Sequence, residues 1–166
     1  MIKQKKTWNK RSKVLVEILR DRLKEIRPER VKSLNDYLDQ DNNPTDDVRR
    51  SAGVYVIFRE KKPLYVGSAG INHTLWCRIR DLFYWHRPYK GNRYNHTLSN
   101  KMYEAFNSKD KVENYLKSCK IVIFPEDDDT NAKALEYFLI TILRPICNSE
   151  INKKKDCIYF LKSELS

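Results

Sequence analysis

The sequence predicts a mixed α/β fold of the α+β kind, with a small central antiparallel three-stranded sheet flanked by helices and a helical N-terminal extension. Runs of β-branched and aromatic residues lie at 53–58, 64–67 and 119–124, and this composition is typical of strands. Around them, apolar residues recur at the three- and four-residue spacing of amphipathic helices. The 166 residues suffice for one domain with a hydrophobic core.

The composition is strongly basic. Lysine and arginine total 33 against 22 acidic residues, a formal net charge of +11, which favours a polyanionic partner such as nucleic acid. The charge alone does not separate DNA from RNA or from an acidic membrane surface. No apolar run follows the basic start of the chain and no segment reaches membrane-spanning length, so we expect a cytoplasmic protein.

The four cysteines are too dispersed for a pair of zinc ligands, and we expect them to be reduced, mostly buried thiols. They lie at positions 77, 119, 147 and 157.

Residues 1–47 are predicted to form a basic helical extension. Residues 1–32 carry 12 lysines and arginines against 4 acidic residues, and leucine and isoleucine recur at helical spacing within them. Packing on the domain, dimerisation, and DNA contact through residues such as Lys10 and Arg11 all remain open roles. The polar segment 39–47, which contains Pro44, predicts the boundary with the core at 47/48.

The first two strand segments are separated by the charged stretch 59–63, which favours a hairpin. If its loop holds an odd number of residues, for example 60–62, Tyr55 lies opposite Gly67 and Tyr65 opposite Ile57. Both phenols then share one face of the hairpin. Gly67 leaves space above the hydroxyl of Tyr55 for a pocket, although tyrosines that only fill the core are the alternative.

Residues 75 to about 87 are predicted to form the next helix. Its apolar stripe places Arg78 at the edge of the core and Arg80 on the opposite, polar side. An arginine at a core boundary needs an anionic partner, which is either a carboxylate or a bound phosphate. His86 also lies on the stripe, as a boundary histidine or a group for proton transfer.

The loop 87–96 interleaves basic, aromatic and amide side chains. This composition suits phosphate contact and base stacking, and an ordinary exposed loop is the alternative. The candidate nucleic-acid contacts in it are Arg87, Lys90, Arg93 and Tyr94.

A second helix is predicted around 134–143, where Glu136 is the only charged residue. A carboxylate amid apolar surface must be protonated, paired or bound to a metal. Arg78 and a divalent cation are the candidate partners. Residues 151–166 are predicted as a tail with an edge strand at 157–161.

Together these segments resemble the GIY-YIG endonucleases over about residues 51–149, so we assign 48–150 to a nuclease core. The triplet at 53–55, Gly-Val-Tyr, matches the first signature of the family, and Tyr-Val-Gly at 65–67 matches the second, each with valine for isoleucine. Arg78 resembles the helix arginine of the family. Glu136 resembles its metal-binding glutamate, and Asn148 its closing asparagine.

The resemblance implies a DNA endonuclease with one divalent cation per active site, Mg²⁺ or Mn²⁺, held by Glu136. Tyr55 would be the general base, Tyr65 would orient water or phosphate, Arg78 would stabilise the transition state, and Asn148 would organise the site. The implied partner is double-stranded DNA, with a homodimer as one route to cutting both strands. Neither a small-molecule cofactor nor a membrane partner is implied.

A bacterial or phage-encoded, stand-alone enzyme of the restriction type or another site-specific kind fits the resemblance best. A repair or homing nuclease, an RNA-directed nuclease and a catalytically inactive binding module of the same fold are the alternatives. One position departs from the family, since many members carry histidine or tyrosine one helical turn after the arginine, where this chain has Leu82. Two other choices would supply a histidine or tyrosine near the arginine. One takes Arg80 as the helix arginine with Tyr84 one turn later, and the other uses His86.

Overall fold

An antiparallel sheet lies at the centre of this computed structural model, which describes residues 32–45, 51–86, 93–126, 128–148 and 153–164. The mixed class and the three predicted strands are confirmed, but the sheet has four strands in the order β1-β6-β2-β3. They are β1 (Lys32–Ser33), β2 (Ala52–Arg59), β3 (Lys62–Ala69) and β6 (Lys120–Glu126). A separate two-stranded ladder pairs β4 (Trp85–His86) with β5 (Arg93–Tyr94).

The register of the β2–β3 hairpin is the predicted one. Tyr55 pairs with Gly67, and Ile57 pairs with Tyr65. The turn between the strands is shorter than the predicted three-residue loop. Arg59 pairs with Lys62, so only two residues form it. A register shift next to Ile57 leaves Leu64 as an extra residue on β3. This β-bulge supplies the odd residue that keeps both phenols on one face.

Gly53 in β2 occupies a position that only glycine fills without strain. Its φ is +155°, and an added Cβ would overlap the carbonyl oxygen of Phe124 on the neighbouring strand β6. The first glycine of the signature therefore allows β2 and β6 to approach closely.

Five helices surround the sheet in the described part of the chain. They are α1 (Leu75–Phe83), α2 (Thr97–Phe106), α3 (Lys109–Lys117), α4 (Asp129–Leu143) and α5 (Lys154–Ser163). None of them is long and apolar enough to cross a membrane. Helix α1 ends earlier than predicted, because Tyr84 takes an extended conformation and leads into β4.

The C-terminal segment was predicted to hold an edge strand at 157–161, and this prediction is wrong. The segment belongs to α5, where Cys157 and Leu161 are both buried. Their four-residue spacing places them on one face of a helix. Cys157 is disulfide-bonded to Cys147, so these two cysteines are not the expected thiols, whereas Cys77 and Cys119 are free.

The core begins well before the predicted boundary at 47/48. Residues Lys32–Ser33 pair with β6, and the backbone N–H of Leu34 donates to the carbonyl of Cys119 at 2.9 Å. Leu34 and Tyr37, in the 3₁₀ helix Leu34–Tyr37, are buried in the main core. This part of the predicted extension is therefore part of the core. Residues 1–31, with Lys10 and Arg11, lie outside the described residues.

Replacing Leu34 tests this boundary. Leu34→Ala should lower the free energy of unfolding by about 2–5 kcal/mol, because a fully buried leucine leaves a cavity. Leu38→Ala is the control, since Leu38 is only partly buried against the same core, and it should cost less. Urea unfolding measures both. If both substitutions lowered the free energy of unfolding by the same small amount, residues 32–38 would lie outside the cooperative core.

Candidate active site

Side chains from β2, β3, α1 and α4 meet at one cavity of about 180 Å³. Four predicted site residues line it, namely Tyr55, Tyr65, Arg78 and Glu136. They are far apart in the sequence and come together because the hairpin forms one wall and the two helices pack beside it. The other lining residues are Gly67, Ser68, His96 and Thr97.

The two phenols lie on the same face of the hairpin, with ring centroids 6.3 Å apart. Tyr55 is almost fully buried, at 1% exposure, and its hydroxyl lies over Gly67. A Cβ at Gly67 would overlap both that hydroxyl and the ring of Tyr65. The predicted space above Gly67 is thus filled by the end of the Tyr55 side chain, which the absence of a Cβ at Gly67 allows.

His96 is the partner of Tyr55, and the sequence analysis did not find it. Its Nε2 atom lies 2.6 Å from the Tyr55 hydroxyl, and its ring packs edge-on against Tyr65 at 5.3 Å between centroids. His96 is the N-cap of α2, and its Nδ1 accepts the backbone N–H of Leu98 at 3.1 Å. In the sequence, His96 stands out only as the last residue of the loop 87–96.

Burial dominates the electrostatics of this pair. It lowers the pKa of His96 to about 3, with the positive charge of Arg78 and then His73 acting in the same direction. His96 is therefore neutral at physiological pH. Burial also raises the pKa of Tyr55 well above 10, and the nearby Tyr65 adds to the effect while Arg78 opposes it.

Arg78 approaches the cavity from the middle of α1. Its Nε atom is buried and has no hydrogen-bond partner among the described residues. A buried guanidinium donor without a partner fits a site that receives an anion such as a phosphate group. One turn later, Leu82 is fully buried in the core and takes no part in the cavity.

Two of the alternative candidates lie elsewhere. Arg80 stacks over Trp76 at 5.0 Å, with Tyr84 at 5.9 Å from the same guanidinium. Arg80 and Tyr84 line a different cavity, of about 130 Å³, together with Lys109 and others. Arg80 lies on the opposite side of α1 from Arg78 because the two are two residues apart on the helix, and Tyr84 lies beyond the end of the helix. Residue 86 lies in β4, and its side chain is outside the described part.

Glu136 lies partly buried on α4, and the Ser68 hydroxyl donates a hydrogen bond to its Oε2 at 2.6 Å. No group of three or more histidine, cysteine or acidic side chains able to hold a metal occurs among the described residues. A cation here would rely on Glu136, water and substrate oxygens. That donor set suits Mg²⁺, which keeps several waters.

Asn148 lies outside the cavity and holds β3 in place. Its Oδ1 accepts the backbone N–H of Val66, and its Nδ2 donates to the Val66 carbonyl, both at 2.8 Å. The preceding Cys147 donates its N–H to the Leu64 carbonyl at 2.9 Å. These bonds satisfy the open edge of β3 beside Tyr65, so Asn148 positions the site.

The predicted nucleic-acid contacts in the loop are only partly described. Arg87 and Lys90 lie outside the described residues, and only the backbone of Arg93 is placed, in β5. Tyr94 was predicted as a contact, but its ring is 1% exposed and packs in the core. A buried ring cannot stack on a nucleotide, so this assignment is corrected.

The neutral state of His96 should make the protein less stable in acid. The unfolded chain takes up a proton near pH 6.5, whereas folded His96 has a pKa of about 3. Below about pH 6.5 the unfolded state therefore binds more protons, and the free energy of unfolding falls by about 1.4 kcal/mol per pH unit.

Urea unfolding of the wild type and of His96→Asn at about pH 7.5 and about pH 5 measures this effect. The asparagine keeps a side-chain oxygen for the helix cap but does not titrate, so the variant should lose this part of the pH dependence. If the free energy of unfolding fell by the same amount between these pH values in both proteins, His96 could not be neutral and buried.

Comparison with protein-family models, with curated proteins and with solved structures finds no match to this chain.

Proposed function

We propose that this chain is a divalent-metal-dependent DNA endonuclease that hydrolyses phosphodiester bonds with a GIY-YIG-like site. The observation that supports it is the convergence of Tyr55, Tyr65, Arg78 and Glu136 on one cavity. The sequence pattern alone predicts all four as site residues. A general base, a cation and a carboxylate beside water-sized space are the parts that phosphoryl transfer to water requires.

Tyr55 is the proposed general base, because its hydroxyl borders the cavity from a fixed position over Gly67. The phenol must lose its proton before it can take one from water, and burial opposes this by raising its pKa. Arg78 lowers the pKa of Tyr55 and also faces the place where a phosphate would gain charge in the transition state. Tyr65 donates a hydrogen bond that orients the attacking water or the phosphate.

Glu136 is the proposed ligand for a divalent cation, Mg²⁺ or Mn²⁺. When bound, such a cation neutralises phosphate charge and makes nearby water and phenol more acidic. Ser68 fixes the carboxylate through its hydrogen bond to Oε2, which orients the Oε1 atom. A ligand oriented by a partner loses less freedom when it binds the metal.

Double-stranded DNA is the proposed substrate because of the resemblance to the GIY-YIG endonucleases, and the net charge of +11 fits a nucleic acid of either kind. One site of this kind cuts one strand, so a double-strand break requires two copies of the chain or two successive nicks. Site-specific cleavage of the restriction type remains the proposed subtype.

Plasmid cleavage tests the function. Supercoiled plasmid should be nicked or linearised with Mg²⁺ and left intact with a chelator. Glu136→Gln should lower the rate by about 10²-fold or more, because the amide binds Mg²⁺ poorly, while affinity for DNA persists through basic contacts. Glu104→Gln is the matched control, since Glu104 pairs with Lys154 on the surface, and should cut normally. Full activity of Glu136→Gln would remove this residue from the metal role.

The two tyrosines should differ in their contributions. Tyr55→Phe removes the base and should slow single-turnover cleavage by about 10²–10⁴-fold. Tyr65→Phe removes one orienting hydrogen bond and should cost less, about 10-fold. Both variants keep the aromatic ring, but Tyr55→Phe also leaves Nε2 of the buried His96 without its partner and should lower the free energy of unfolding by about 1–3 kcal/mol. Cleavage is therefore compared at a temperature at which thermal unfolding shows both variants to be folded. A near-normal rate for Tyr55→Phe would exclude it as the proton acceptor.

A further inference from the structure

We infer that His96 is a fixed hydrogen-bond donor to Tyr55, held in one tautomer by the cap of α2, and that it never accepts the Tyr55 proton. The inference rests on the proposed function only in giving Tyr55 a catalytic role. The state of the imidazole follows from the fold itself. Because His96 acts through Tyr55, it is a positioning residue.

The helix cap decides which nitrogen carries the proton. The backbone N–H of Leu98 points at Nδ1 of His96 at 3.1 Å. A backbone N–H can only donate, so Nδ1 must present its lone pair. A proton on Nδ1 would break this bond and would place positive charge at the N-terminus of α2, where the helix dipole is also positive.

The remaining ring nitrogen then faces Tyr55 as an N–H group. His96 is 2% exposed and has Arg78 nearby, so the ring stays neutral and carries a single proton. With Nδ1 unprotonated, that proton lies on Nε2, which is 2.6 Å from the Tyr55 hydroxyl oxygen. Nε2–H therefore donates, and the Tyr55 oxygen accepts.

This direction determines how Tyr55 can work. The Tyr55 O–H proton cannot point at His96, so it leaves through the cavity to solvent when the phenol ionises. The N–H of His96 then stabilises the phenolate, as a hydrogen bond to the charged form does. During hydrolysis the phenolate takes one proton from the attacking water, and the water oxygen forms a new bond to phosphorus. The P–O bond to the leaving oxygen breaks, and that oxygen gains a proton from solvent. His96 keeps its Nε2 proton throughout.

Two amide replacements separate a donor from a base. The side-chain nitrogen of glutamine can reach the place of Nε2, and the oxygen of asparagine can reach the place of Nδ1. His96→Gln therefore keeps a donor to Tyr55 and loses the cap, while His96→Asn keeps the cap and loses the donor. Neither amide can accept a proton at neutral pH.

If His96 is a donor, His96→Gln should keep the plasmid-cleavage rate to within about 10-fold of the wild type, with a loss of stability from the missing cap. His96→Asn should cut about 10²-fold more slowly, and it should also lose stability, because the buried Tyr55 hydroxyl loses its partner. Loss of cleavage in both, with both folded, is the result expected of a base and would overturn the inference.

A spectroscopic measurement tests the tautomer without any cleavage. The chain has three histidines, and the signals absent from the spectrum of His96→Asn assign His96. A long-range ¹H–¹⁵N spectrum of the full-length protein should show Nε2 protonated and Nδ1 unprotonated, unchanged between about pH 5.5 and about pH 8. A proton on Nδ1, or on both nitrogens, would overturn the inference. A wild type that cuts no DNA would refute the proposed nuclease function. The ¹H–¹⁵N spectrum would still show which tautomer His96 adopts, because it does not depend on cleavage.

Discussion

The register of β2 against β3 is the constraint on which the candidate site depends. Side chains alternate between the two faces of a strand, so a slip by one residue would send Tyr55 and Tyr65 to opposite sides of the sheet. The bulge at Leu64 makes a two-residue turn compatible with the required register. Asn148 then fixes the outer edge of β3 by bonding both backbone groups of Val66. Neither the bulge nor Asn148 lines the cavity, yet both determine which side chains face it.

Burial makes the site precise and also makes its chemistry difficult. A phenol enclosed between Gly67, Tyr65 and His96 has one available position, but desolvation disfavours its charged form. Two groups of this chain counter that penalty in different ways. Arg78 contributes positive charge, and the imidazole contributes a neutral donor whose proton cannot be lost to the phenol. A neutral donor stabilises the phenolate by a hydrogen bond. It adds no second buried charge that would itself need a partner.

The parts of the fold that follow periodic patterns could be predicted, and those that depend on tertiary contacts could not. The β-branched runs predicted β2, β3 and β6. The predicted pairing of Tyr55 with Gly67 is correct, but the structure reaches it through a two-residue turn and the bulge at Leu64 and not through the three-residue loop. Arg78 and Glu136 were found because a charge beside an apolar stripe stands out on a helical wheel. The strand β1 has only two residues, too few for a pattern. The segment 157–161 has a composition typical of strands. It forms a helix because this places Cys157 and Leu161 on one face, where both are buried.

His96 escaped prediction for a physical reason that also explains why it occupies this place. On α1 the position one turn after Arg78 is Leu82, which the core requires. A histidine at that position would bury two ring nitrogens, and the helix backbone around it has no spare donor or acceptor, since its groups bond each other. A helix N-terminus does have spare N–H groups. At the cap of α2 both nitrogens of His96 find partners, one in Leu98 and one in Tyr55. The start of α2 thus satisfies one nitrogen of the buried imidazole and Tyr55 the other. Because an N-cap has no periodic relation to Arg78, no wheel or spacing rule could connect the two residues.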